Sequence, residues 1–289
     1  MLRITATFLV VVFGTLGTAE AQGKGGGVGK GRQTAGAPVR SNGQTSNTSV
    51  ALQTLPSFPQ FGTWLDDASI ATAGAGYASV GTTYWRGSSA NQIDVPVLGV
   101  TYGIAKHLHV SATIPFYRVS YEGFSGSGLD NVYVASKLAL VNPEAADRGF
   151  GLAIGAVAEI LSASIADASR VHWAVPLSVE FRKDVVRVYG STSYFSRGAI
   201  SVAGALEWTV PTGTSFTASL AHSASVDGVT LATTGTAPNG TLNEASLFVS
   251  HPVSAGASMY VGGSRTFSRT EISGATSVGV GLSFRFAGP

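Results

Sequence analysis

The closing stretch SVGVGLSFRFAGP (Ser277–Pro289) raises the question on which the fold turns. From Val278 every second residue is apolar: Val278, Val280, Leu282, Phe284, Phe286. Between them stand Gly279, Gly281, Ser283 and Arg285, small or polar. Period two means a strand with one greasy and one wet face. A half-buried strand of a soluble sandwich alternates in this way, and so does the wall of a barrel in lipid. What lies on each side of the sheet decides between them.

The same alternation runs back through most of the chain. LHVSATIPFY sets Leu108, Val110, Ala112, Ile114 and Phe116 against His109, Ser111, Thr113 and Tyr117. GFGLAIGAVAEIL, VHWAVPLSVEF and AISVAGALEWTV behave alike, and none fits a helical period. About twelve segments result, near 70–86, 92–104, 108–121, 129–141, 149–162, 171–182, 185–196, 199–210, 215–226, 242–253, 257–267 and 275–286. Each approximates the roughly 9–11 residues of a tilted membrane strand. In the first and eleventh both faces are mixed, and ten strands remain an alternative to twelve.

Connections alternate as well. Every other one is short: AKH, NPEAADR, KD, PTGT, SAG. The intervening set, which includes EGFSGSG and DGVTLATTGTAPNGT, is mostly longer and richer in Gly, Ser and Asn. Short turns on one rim and long loops on the other mark an outer-membrane barrel. The polar faces carry Gly, Ala, Ser and Thr with only occasional charges, which suits a lumen better than bulk solvent. Aromatics (Tyr102, Phe116, Tyr117, Trp173, Phe181, Trp208, Phe216, Phe284, Phe286) stand near strand ends, where interfacial girdles belong. An open sheet edge in lipid would leave peptide groups unpaired at several kcal/mol each, so the sheet must close. The expected fold is all-β, an antiparallel transmembrane barrel of about 12 strands whose last strand forms the seam.

Composition agrees. Charged residues make up 12% of the 289, against about 25% in ordinary soluble domains. A net charge of +2 argues against a nucleic-acid partner. The lack of cysteine excludes disulfides and cysteine-based zinc sites. Residues 1–21 have the n-region, apolar core and Ala19-Glu20-Ala21 step of a cleaved signal peptide, so the outer membrane is the expected location. Residues 22–56 are Gly/Ser-rich and basic, read as a disordered linker or a tether to an anionic surface. Residues 57–68 form a plug or a lead-in segment, and 69–289 the barrel.

Two resemblances follow from these residues. VGVGLSFRF resembles the C-terminal signal that barrel-assembly machinery reads in bacterial outer-membrane proteins. Phe284 and Phe286 stand at its aromatic positions, with Ala287, Gly288 and Pro289 beyond. The stretch LGVTYGIAKHLHVSATIPFYRVSYEGFSGSGLDNVYVASKLALV resembles the outer-membrane family associated with phenol-degradation meta-pathways. Tyr102, Gly103, Pro115, Phe116, Gly128, Asp130 and Lys137 carry that likeness. It implies a barrel in contact with outer-membrane lipids and lipopolysaccharide, and a channel for small apolar or aromatic solutes.

By parity the lumen receives His109, Tyr117, Lys137, Glu159, His172, Glu180, Arg182, Arg187, Glu207 and Arg285. Isolated buried charges are expensive, so these should pair across the interior. They act either as a rigid salt-bridged filling or as a constriction that selects solutes. A non-transporting surface barrel, with loops or basic tail binding a partner, is the second reading. A lipid hydrolase built on His109-x-Ser111 is the third, and it would need that pair on the lipid face. No pattern calls for a cofactor, and His107 with His109 lacks a third metal ligand.

Overall fold

The structure, a computed structural model, describes residues 65–87, 90–121, 124–142, 149–160, 171–196, 198–225, 241–267 and 275–287. The expected signal peptide, the linker and residues 57–64 lie outside the described residues, as does most of the loop sequence. The strands are β1 (Ala75–Arg86), β2 (Ala90–Ala105), β3 (Leu108–Tyr121), β4 (Phe124–Leu129), β5 (Val132–Val141) and β6 (Phe150–Ile160). They continue with β7 (Val171–Lys183), β8 (Val186–Phe195), β9 (Ala199–Thr209), β10 (Ser215–Ser225), β11 (Thr241–Ser254), β12 (Ala257–Phe267) and β13 (Thr276–Ala287).

All strand pairings are antiparallel, and β1 pairs with both β2 and β13. The register from Ala75↔Ala287 to Arg86↔Thr276 closes the sheet on itself. β4 and β5 follow one another along one edge of β3, opposite 116–121 and 108–113 respectively. The wall is therefore a closed barrel of twelve strands, the architecture in which neighbouring strands satisfy one another's peptide groups in lipid. No helix among the described residues is long and apolar enough to cross a membrane; the crossing is made by strands.

The closing strand answers the opening question. Val278, Val280, Leu282, Phe284 and Phe286 face outward with 39–51% of their surface exposed, while Ser277 and Ser283 are buried inside. Outward residues of the other strands behave alike: Leu177, Val202, Leu206 and Trp208 are exposed, and their neighbours Ser178, Ser201, Ala203 and Glu207 are buried. A soluble sandwich would reverse this. At the seam the Phe286 ring lies over Gly76 of β1, where an added Cβ would come within 2.3 Å of it. Trp208 stacks on Phe216 at 6.0 Å and Trp173 meets Tyr194 at 5.9 Å, part of the aromatic girdles.

The two mixed segments have a physical cause. Inside the barrel, Tyr77 and Trp85 of β1 and Tyr260 of β12 point inward, so their strands show aromatics on both faces. Tyr260 spreads over Gly81 and Gly281, whose missing side chains make room for it. In β2 a register shift between Asp94 and Val97 inverts the alternation. Asp94 and Gln92 thereby point inward in company with Thr101.

The start of β1, the end of β13 and the turns 106–107, 184–185, 211–214 and 255–256 lie at one end of the barrel, the near end. The last residues before β1, Leu65 to Gly74, run within the lumen toward that end.

Candidate functional site in the barrel lumen

All ten parity-assigned residues stand on the lumen face, and they divide into tiers. Near the near end, His109 opens β3, Lys137 lies in β5, and Glu180 and Arg182 close β7. Arg187 opens β8. At the far end stand Glu159 of β6 and His172 of β7. Tyr117 packs by Gly128 on the neighbouring strand. Glu207 accepts from Thr217 Oγ1 at 3.2 Å. Glu207 of β9 is the cross-strand partner of Arg187, and Tyr117 stands on the far half of β3.

The expected pairing across the walls is met in an unexpected way, because the N-terminal lead-in supplies half of it. Asp66, Asp67, Ser69, Ile70 and Ala71 are all buried. Lys137 Nζ donates to Asp66 Oδ1 at 2.7 Å, to Asp67 Oδ1 at 3.2 Å and to the Ser69 carbonyl at 3.2 Å. Arg187 Nη2 donates to Asp67 Oδ2 and to Ser69 Oγ, the latter at 3.0 Å, while its Nε and Nη2 also engage Glu180. Ser69 Oγ donates to Glu180 Oε2 at 2.8 Å, and Arg182 Nη2 donates to Glu180 Oε1 at 2.9 Å.

Backbone amides fix the lead-in as well. The Asp66 N–H donates to Ser191 Oγ and the Ala71 N–H to His109 Nδ1, each at 3.0 Å. Accepting at Nδ1 holds His109 as the neutral tautomer with its proton on Nε2. Asp67 N–H reaches Asp66 Oδ1 and Ser69 N–H reaches Asp67 Oδ1, local turns that aspartate favours. Partners thus pass from β8 through β7 and β5 to β3 and finally β2, where the Gly74 N–H meets the Gly103 carbonyl at 2.9 Å. The segment crosses the lumen. At Gly103 its backbone runs close against the wall: a Cβ there would sit 2.1 Å from the Thr72 carbonyl oxygen and 2.6 Å from that of Ala71.

The far tier is a separate network. Glu159 accepts from Asn131 Nδ2 and Tyr133 OH, both at 2.6 Å, and its other oxygen lies 3.0 Å from His172 Nδ1. Gln92 Nε2 donates to Asp94 at 2.6 Å and Asp130 at 3.1 Å. Beside it Tyr133, Val157, Ala174, Phe195 and Ala199 form an apolar cluster inside the barrel. The arc from β9 to β13 is lined mainly with hydroxyls, among them Ser201, Ser219, Ser246, Ser258, Ser264 and Ser277.

Sequence reasoning did not assign Asp66, Asp67, Asp94 or Asp130 to the lumen. Asp94 was hidden by the register shift. The pair Asp66-Asp67 had a signal: acidic neighbours directly ahead of a barrel whose lumen cations outnumbered convincing wall partners. His109 and Ser111 both face inward, with His109 engaged by Ala71, so the pair does not meet the lipid face that a hydrolase of that kind requires. His107 is exposed in the near-end turn, and no group of three metal-ligating residues occurs among the described residues.

No family model matches the sequence. No curated protein matches it either. Solved structures do match in fold. An outer membrane channel from Pseudomonas putida F1 is 14% identical, with 76% of this chain and 98% of that chain covered at a TM-score of 0.54. The NanC porin is 11% identical over 72% of this chain and 98% of its own, with a TM-score of 0.53. The KdgM porin, solved in complex with disordered oligogalacturonate, is 12% identical over 72% and 99%, with a TM-score of 0.50. At these identities the likeness is one of fold, that of outer-membrane barrels.

Proposed function

We propose that this chain is an outer-membrane channel for passive passage of small solutes, closed at its near end by its own lead-in. The observation that carries the reading is the division of the barrel. A mainly apolar exterior encloses a lumen of hydroxyls and charges, and one short segment crosses that lumen through side chains that can exchange partners. A barrel serving only as a scaffold needs no polar interior, since apolar filling is as stable or more so. Both the channel fold and the lining favour transport over a surface barrel that binds partners by loops or tail. The resemblance to the phenol-degradation-associated family points to small aromatic solutes. In this reading the signal peptide is removed after Ala21, the assembly machinery reads Phe284 and Phe286, and outer-membrane lipids and lipopolysaccharide surround the belt.

The test is solute flux through the purified, folded protein in liposomes, comparing small aromatics with sugars. Flux above that of protein-free vesicles is expected. Its absence for every solute, from barrel shown to be folded, would leave the surface-barrel reading in its place.

A further inference from the structure

Lys137 is buried in the wall, and every hydrogen bond it makes goes to the lead-in. Arg187 is shared between Glu180 of the wall and Asp67 of the lead-in, and its Nη1 is buried with no hydrogen-bond partner. At this cluster Asp66, Asp67 and Glu180 form ion pairs with Lys137, Arg182 and Arg187, and Glu207 faces Arg187 from β9. Withdrawing the lead-in removes two of the carboxylates and exposes Lys137 and the inward edge of the Arg187 guanidinium. A lysine point charge beside a planar guanidinium with spare donors is the equipment for holding a carboxylate. The chain already shows that use, with its own aspartates as the guests.

From this we infer that Lys137 and Arg187 form a carboxylate-binding site, filled by Asp66 and Asp67 in the closed state. Small solutes bearing a carboxylate take that place and release the lead-in. The inference rests on the channel reading and names the solute class and the opening event of the same lumen. The Arg187 Nη1 donor completes the site: when the lead-in leaves, taking Ser69 with it, Nη1 becomes the solute's second donor. A neutral solute of the same shape leaves Lys137 without an anion and Arg187 with the wall carboxylates alone, and does not compete.

Because the chain contains no cysteine, Ala68→Cys gives a single thiol in the buried lead-in, at a side chain fully buried in the lumen. Its labelling by a water-soluble maleimide reports release of the segment whether or not solute crosses. Benzoate is expected to raise the labelling rate about tenfold, the size of one charge-assisted hydrogen bond, and benzamide to leave it unchanged. Lys137→Met should abolish the benzoate effect. Labelling that ignores benzoate, or answers benzamide or the Lys137→Met barrel equally, overturns the inference. Should Ala68→Cys fail to fold, flux in liposomes decides with the native residue at position 68. Saturable preference for benzoate over benzamide, lost in Lys137→Met, supports the site, and equal flux of both overturns it. The two readings fail separately. Flux without a labelling response sinks the carboxylate site and keeps the channel; labelling without flux sinks the channel and keeps the site.

Discussion

Gly103 is the residue on which the closed lumen is seated. The backbone of the lead-in passes so close to it that any side chain meets the carbonyl oxygens of Thr72 and Ala71, and backbone cannot swing aside as a long side chain can. Gly103→Val should therefore unseat the segment while leaving the β2–β3 pairing intact. The expected result is faster maleimide labelling of Ala68→Cys in a barrel that still shows heat-modifiable migration. Lys137 and Arg187 work the other way. Removing one partner of a buried ion pair costs about 3–5 kcal/mol because a charge is stranded, so the lead-in and the two cations hold each other in place. This level was half legible in the sequence. Alternation placed Lys137, Glu180 and Arg187 in the lumen, because period two in a long regular strand survives any detail of packing. It could not supply Asp66 and Asp67, which belong to a non-strand segment with no period and are positioned by bonds to residues 70 or more positions away.

At the scale of the strand, each element's two faces meet different solvents. Leu177 of β7 is 41% exposed on the lipid face and Ser178 beside it is buried in the lumen. Leu177→Arg sets a guanidinium in the hydrocarbon at about 2–4 kcal/mol if near the midplane, less near the rim. It should reduce or abolish the folded, heat-modifiable form on electrophoresis, whereas Ser178→Asn should retain it. Equal loss from both would contradict the facing of β7. Strand limits followed the sequence closely wherever alternation was clean, as in β7, β8 and β9. The limits slipped in β1, expected from 70 and beginning at Ala75, while β12 keeps the expected 257–267. The facing was obscured in both, where Tyr77, Trp85 and Tyr260 turn inward, and in β2, where the shift near Asp94 inverts the faces. Nothing local announces the Tyr260 exchange, since the glycines that make room for its ring, Gly81 and Gly281, lie on other strands.

The whole molecule is a closed wall with unequal halves. The arc from β2 to β8 carries the ion pairs and the far carboxylate network, and the lead-in lies against it. The arc from β9 to β13 offers mainly hydroxyls, with Glu207, Glu244 and Arg285 among them, and no described hydrogen bond to the lead-in. A solute path, on this account, opens between that hydroxyl-lined arc and the lead-in once the lead-in is released. Closure through β1 and β13 follows from the final strand's alternation together with the prohibition on bare edges in lipid, which is why it was readable from the chain's last residues. Gating was not readable, because it depends on which carboxylates reach Lys137 and Arg187 in three dimensions. The most direct measurement is the conductance of the protein in planar bilayers against that of the Asp66→Asn, Asp67→Asn double variant. The account predicts a low conductance that rises several-fold in the variant, roughly as losing two charge-assisted contacts would allow, with both barrels equally folded. Equal conductance in the two proteins, or none in either, would contradict it.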